Sequence, residues 1–263
     1  FRFKKRAWFL KKTKSICEGC SQGCNIELQH ENNIVYRTLP RENLEINKWW
    51  ICDEGRFNFH YVHSNNRILE PSVRKGESWT QIDWNAAILD VRARLKGESL
   101  ILVGSDLTLE EARAVQSWAH ANFSDYSLFH FGTPGILKVA DDQAEDKILR
   151  RTSKTGNLHG MEKLGILGFD TKAKAKYDSA IVFCGGRAQI LPDLKKTVSG
   201  SVIGAGVFNN DVGSCFDIIL PGLSFVEKSG TIINWQGKEQ KLQKAIEPLG
   251  ESKALSEIFA YWS

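Results

Sequence analysis

Cys17, Cys20 and Cys24 stand as C-x2-C-x3-C in the stretch CEGCSQGC, and Cys52 follows after 27 intervening residues. Three thiols so close together do not all pair off as disulfides, and six cysteines in 263 residues do not make a disulfide scaffold. Four thiolates bind zinc or an iron–sulfur cluster. Zinc ribbons take two C-x2-C knuckles. Here one tight loop supplies three ligands and a distant cysteine the fourth. That division suits a cubane held by three irons from one side and by the fourth from the other. Gly19 and Gly23 let the backbone wrap closely around a bulky group, and loop N–H groups aimed at sulfur tune its potential. The spacing differs from the ferredoxin run C-x2-C-x2-C-x3-C, so on spacing alone a zinc site and an incidental group of thiols stay open. Cys184 and Cys215 stand apart in apolar surroundings and read as small buried hydrophobes.

Positioning these thiols needs a chain that leaves the loop and comes back. Beyond Cys24, NIELQHENNIVYRT holds two strand-like runs around Glu31-Asn32-Asn33, a β-hairpin with Asn in the turn. The following PRENLEINKWW reads as a loop that returns Cys52 to the other three. Residues 52–76 read as loop-rich, with Pro71 as a boundary. The pattern changes near residue 80. Trp84, Ala87, Ile88, Val91 and Leu95 form a helical stripe with Asp83 as N-cap. Residues 99–105 form a buried strand, and Thr108 with Glu111 makes a capping box for the next helix. Further strands are expected at 126–132, 177–186, 201–208 and 216–222. Apolar strands alternating with helices predict a mainly parallel α/β sheet. Residues 133–176 are weakly patterned and receive no assignment.

Composition adds bounds. Hydrophobic content of 42% and charged content of 25% are ordinary for a globular chain. The net charge of +4 demands no nucleic-acid partner, and no apolar run approaches a membrane span. Seven basic residues precede Cys17, with no aromatic-interleaved RNA motif after them; they read as a subunit-contact strip or a solvated face. His60 and His63 follow Cys52 and read as surface residues of a strand or loop, with zinc ligation as the alternative. Gly104, Gly185-Gly186 and the GAG at 204–206 end strands but make no dinucleotide fingerprint. The chain starts at Phe1 rather than Met, which reads as a fragment or as a chain preceded by more protein.

Longer stretches carry a resemblance. RAWFLKKTKSICEGCSQGCNIEL, RENLEINKWWICDEGRF and VHSNNRILEPSVRKGESWTQIDWNAAI resemble the large iron–sulfur subunit of NADH–quinone oxidoreductase, respiratory complex I. More broadly they resemble the N-terminal 4Fe–4S domain of molybdopterin oxidoreductases. SKTGNLHGMEKLGI (153–166) and DIILPGLSFVEKSGTIINWQGKEQ are similar to further segments of that family. The resemblance implies a β-rich 4Fe–4S domain at 1–70 and a shortened molybdopterin-oxidoreductase-like α/β domain at 71–263. It implies one 4Fe–4S cluster on Cys17, Cys20, Cys24 and Cys52. Further clusters would lie only upstream of Phe1 or on another chain.

Departures from the family sharpen the expectation. Formate dehydrogenases of the superfamily carry a lysine two residues after the fourth cysteine, where this chain has Glu54. The expected role is therefore that of a subunit, not catalytic by itself, with no molybdopterin. Its expected partners are the flavin- and NADH-binding subunit and neighbouring iron–sulfur subunits, with no nucleic acid. Membrane contact is expected only through partners, at the cytoplasmic face of a bacterial inner membrane or the mitochondrial matrix side. The alternatives are a truncated molybdopterin-dependent oxidoreductase such as a formate dehydrogenase, and a zinc-stabilised interaction module.

Overall fold

The computed structural model describes residues 5–132, 149, 151–169, 176–186, 194–208 and 215–262. Two sheets dominate. The first is antiparallel, with strands β1 (Lys11–Ile16), β2 (Asn25–Glu31) and β3 (Ile34–Pro40) in that order. Asn32 and Asn33 join β2 to β3 with φ of 49° and 63°. Both angles are left-handed, as a two-residue hairpin turn requires, and asparagine tolerates them. β1 is built from the basic stretch expected as a contact strip or solvated face. Lys11, Lys12 and Lys14 are exposed on it, while Ser15 and Ile16 turn inward.

The segment read as loop-rich after Cys52 is more ordered than expected. It forms helix α1 (Asp53–Phe57), a 3-10 helix at Asn58–His63, and a hairpin of β4 (Ser72–Lys75) and β5 (Ser78–Gln81). Gly76, φ 64°, makes that hairpin's turn. β5 lies at the sheet's edge, and in both strands polar and charged residues outnumber apolar ones, so neither shows apolar alternation.

The second sheet runs β5-β4-β10-β9-β8-β6-β7, with β6 (Ser99–Gly104), β7 (Tyr126–Phe131), β8 (Ser179–Cys184), β9 (Val202–Gly206) and β10 (Ile218–Pro221). These five strands are mutually parallel, and β4 pairs antiparallel with β10. Every residue of β6, β8, β9 and β10 is buried, the mark of a sheet covered on both faces. Side chains alternate between the faces. Ile101, Val103, Ile181, Phe183, Ile203 and Leu220 pack with helices α2 (Trp84–Arg94), α3 (Leu109–Asn122), α4 (Leu158–Lys163) and α6 (Leu255–Ala260). Leu100, Leu102, Val182, Val202 and Ile219 face the opposite layer, which includes Phe208, Phe216 and Leu194 of the short α5 (Leu194–Thr197).

The foreseen caps hold. Asp83 accepts the Ala86 N–H at 3.0 Å. Thr108 Oγ1 accepts from the Glu111 N–H at 3.2 Å, while the Glu111 carboxylate takes the Thr108 N–H at 2.8 Å. A late hairpin, β11 (Gly230–Ile233) with β12 (Glu239–Leu242), was not foreseen. It forms a two-stranded sheet of its own that packs against the cysteine-bearing unit. Phe225, Val226, Ile232, Leu242 and Ile246 share one apolar cluster with Ile16, Ile26, Leu28, Val35, Ile51 and Phe59. Thus each sheet lies on one side of residue 70, whereas this cluster draws on both.

Candidate metal centre

The cysteine loop leaves β1 and re-enters at β2. The Cys17 N–H donates to the Cys24 carbonyl at 2.8 Å, closing its neck. Gly23, φ +64°, makes the reversal; a Cβ there would meet Gln240 Nε2 at 2.6 Å. The loop is pinned from below by the β11–β12 hairpin. Gln240 Nε2 donates to the Gly23 carbonyl at 2.9 Å, Asn25 Nδ2 donates to Gln240 Oε1 at 2.7 Å, and the Trp235 N–H donates to the Ser21 carbonyl at 2.9 Å.

Asn47 brings the fourth thiol back. Its side chain is fully buried, accepts the Asn25 N–H at 2.9 Å, and donates to the carbonyls of Arg41 and Trp50 at 3.2 and 3.0 Å. One amide thereby staples the 41–50 excursion under β2 and delivers Ile51 and Cys52. Cys52 then caps α1, its Sγ accepting the Gly55 N–H at 3.4 Å. Cys17 Sγ accepts the Gly19 N–H at 3.4 Å. Donors of this kind stabilise thiolate and metal-bound sulfur. Gly55 also sets the fit, since a Cβ there would lie 3.0 Å from Cys17 Sγ and 2.9 Å from Ile51 Cγ1. Helix α1 therefore approaches Cys17 as closely as glycine permits.

Cys17, Cys20 and Cys24 are 6%, 7% and 3% exposed, and Cys52 is half-buried. Burial pushes the Cys24 thiol far up, and the charges of Cys17, Cys20 and Cys52 push it further. Burial likewise raises Cys20. The charges of the other three thiols oppose ionisation of buried Cys24, a field that a cationic centre relieves. Among the described residues no group of three or more His, Cys, Asp or Glu side chains is placed for a single metal ion. A cubane differs from one tetrahedral ion in this respect, because each thiolate meets a separate iron.

The centre has a wall that sequence reasoning missed. Residues 151–157 lie over the cysteine loop. The Ser21 N–H donates to the Ser153 carbonyl at 2.9 Å, Arg151 Nε donates to Gln22 Oε1 at 2.8 Å, and a Cβ at Gly156 would meet Glu18 Cα at 3.0 Å. The Arg151 guanidinium stacks 3.9 Å above the Trp235 ring, and Lys154 Nζ bonds Glu54 Oε2 at 3.0 Å. SKTGNLHG stood out as a family segment, but its partners were invisible in one sequence.

The remaining sites part from the centre. His63 Nε2 accepts the Val35 N–H at 3.0 Å, and His60 is exposed with its ring 4.3 Å from that of Phe59. Both lie on the 3-10 helix rather than on a strand or loop. Cys184 is buried at the end of β8, 4.0 Å from Asp106 Oδ2, and Cys215 is half-buried in the opposite layer. The sheet reverses direction of growth between β6 and β8, the switch point where open α/β sheets take ligands. There Asp106 accepts the Gly185 N–H at 3.0 Å.

Comparison with known proteins agrees with this layout. Residues 10–64 match the molybdopterin oxidoreductase Fe4S4 domain, and residues 192–263 match molybdopterin oxidoreductase. The chain is similar to the NADH-quinone oxidoreductase G subunit of Streptomyces coelicolor, 35% identical over 45% of this chain and 15% of the relative. It is also similar to NADH-quinone oxidoreductase subunit 3 of Thermus thermophilus, 34% identical over 46% of this chain and 16% of the relative. A third relative, the NADPH-Fe(3+) oxidoreductase subunit alpha of Geobacter sulfurreducens, is 28% identical over 63% of this chain and 16% of its own length. These matches span about a sixth of each relative's length.

Proposed function

We propose that this chain is a portion of the large iron–sulfur subunit of an NADH–quinone oxidoreductase, holding one 4Fe–4S cluster on Cys17, Cys20, Cys24 and Cys52. One observation carries the reading. Two distant segments, both inside the stretch matched by the Fe4S4 domain, bring half-buried Cys52 within electrostatic reach of the buried loop that carries Cys17, Cys20 and Cys24. The donor set is all cysteine, which suits such a cluster, and Gly55 leaves room where a Cβ would press on Cys17. When bound, the cluster supplies one-electron transfer. The chain's own part is to donate the Gly19 and Gly55 N–H groups to the sulfurs of Cys17 and Cys52, and to keep water away with Ile16, Ile26, Ile51 and Phe59.

Residues 1–70 are the cluster-binding division in this reading and residues 71–263 a scaffold without molybdopterin. Two features support the second part. Glu54 stands where formate dehydrogenases carry a lysine, and it is paired with Lys154. At the switch point the chain's own Asp106 meets Gly185. The subunit works beside a flavin- and NADH-binding chain and other iron–sulfur chains. It sits peripherally on the cytoplasmic or matrix side of the membrane and touches the membrane only through partners. Among the described residues no helix is long and apolar enough to cross a membrane.

Iron, sulfide, zinc and molybdenum counts on anaerobically purified protein, with the EPR spectrum of the reduced state, test the reading. Four irons per chain, a reduced-cluster signal and no molybdenum are expected. Stoichiometric zinc in place of iron would establish the zinc module, and stoichiometric molybdenum the truncated oxidoreductase. Co-purification of the native protein with flavin- and iron-bearing chains tests the assembly; a lone chain that oxidises NADH unaided ends it.

A further inference from the structure

Lys154 is a buried lysine, 8% exposed, in a segment that sequence reading had no reason to connect with the cysteines. Its backbone is bracketed by two contacts with the cysteine loop. One residue before it, the Ser153 carbonyl accepts the Ser21 N–H at 2.9 Å. Two residues after it, Gly156 packs on the Glu18 backbone so closely that a Cβ would lie 3.0 Å from Glu18 Cα. Between these anchors the side chain crosses to α1 and reaches Glu54 Oε2 at 3.0 Å, two residues beyond Cys52. The ammonium therefore lies between the two segments that carry the thiols. The Glu54 side chain is 30% exposed, whereas that of Lys154 is 10% exposed. Water screens the carboxylate more than the ammonium, so the couple presents its positive end more strongly to the buried interior.

We infer that Lys154 is an electrostatic positioning residue for the cluster, its buried positive charge raising the reduction potential of the centre held by Cys17, Cys20, Cys24 and Cys52. The inference rests on the cluster reading above. Reduction adds an electron to the cluster, and a fixed cation nearby stabilises the added negative charge more than the oxidised state. Ser153 and Arg151 fix the segment's backbone, so the charge is held in place.

EPR-monitored redox titration of the anaerobically purified full chain tests this, with iron counted for every variant. Lys154→Met is expected to keep the cluster and lower its midpoint potential. Lys154→Arg retains the charge and should stay near the parent value. Glu54→Gln removes the opposing carboxylate and should shift the potential upward. A structural strut would show reduced iron occupancy in Lys154→Met without opposite shifts in the two charge variants. Potentials of all three variants indistinguishable from the parent at full iron occupancy would overturn the inference. Should Lys154→Met fail to hold iron, Glu54→Gln decides alone: an upward shift supports it and no shift overturns it. A parent chain that carries zinc and no iron overturns the cluster reading, and this inference with it.

Discussion

The cysteine-bearing unit and the seven-stranded sheet solve burial in opposite ways. The interior of the sheet is apolar on both faces, from Ile101 and Phe183 on one to Leu102 and Val182 on the other. Apolar area removed from water stabilises it, at about 25 cal/mol per Å². The cysteine unit buries Glu18, Gln22, Asn25, Asn47, Asn234 and Gln240 beside its apolar residues. It gathers them from stretches near the start and the end of the chain. A buried amide such as Asn47 or Gln240 contributes only when its partners are all present. The first region is thus built by area, which tolerates local variation. The second is built by completion, and on the proposed reading a cluster on its thiols is the last part.

Removing that centre should give the largest effect. Cys52→Ala is expected to abolish bound iron and to strip amide-exchange protection from β1, β2 and β3 while β6 and β8 stay protected, since site assembly and folding of such a unit are coupled. Equal loss of protection in both sheets would erase the distinction between the regions.

Arg67 comes next. Its guanidinium donates to Glu227 at 2.7 and 3.2 Å and to the carbonyls of Val62 and Gly222, with side chains 1% and 0% exposed. Glu227 also accepts from Ser224 and from the Leu249 N–H. Arg67→Met strands that carboxylate in the interior, and breaking a buried pair costs about 3–5 kcal/mol. A urea midpoint lowered to match is expected, and a change below about 1 kcal/mol would show the pair to be dispensable.

A lesion in the other region sharpens the contrast. Leu102 is fully buried in β6. Leu102→Ala should lower stability by about 2–5 kcal/mol through lost transfer energy and a cavity, yet leave iron content at the parent value. Iron lost in proportion to stability would show that the regions do not behave separately.

The smallest effect is one of pH. Burial lowers the pKa of His30, His63 and His130 below the ordinary imidazole value, and the neighbouring Arg67 charge lowers His63 further. Protons therefore bind these rings more readily in the unfolded chain. Their stabilisation is complete above about pH 6.5, the ordinary value, and is lost as pH falls through the lower folded-state values. His63 and His30 sit in the cysteine unit, where His63 accepts the Val35 N–H and His30 pairs with Thr13 Oγ1 at 3.0 Å. His63→Gln should flatten the acid-side decline in unfolding free energy; an unchanged slope between about pH 7 and 5.5 would remove His63 from the account.

Local physics was open to reading. The paired asparagines of the β2–β3 turn, the Asp83 cap, the Thr108–Glu111 box and the apolar runs of β6, β8, β9 and β10 announce themselves within a few residues. So did the cysteine spacing, because residues of one loop leave a mark in sequence whatever surrounds them. β4, β5 and α1 were missed because elements of four or five residues with few apolar side chains are too short to impose a period.

What the sequence determined by itself was therefore the pattern within each element and the identity of the thiols. What only the tertiary structure decided was which remote groups complete the cysteine site. Gln240 meets Asn25 across 215 residues, Arg151 meets Gln22 across 129, Lys154 meets Glu54 across 100, and Arg67 meets Glu227 across 160. Each of these side chains is polar and looks like surface in a linear reading. Each is drawn inward because a buried donor or acceptor costs free energy until a partner meets it, and only the folded chain supplies that partner.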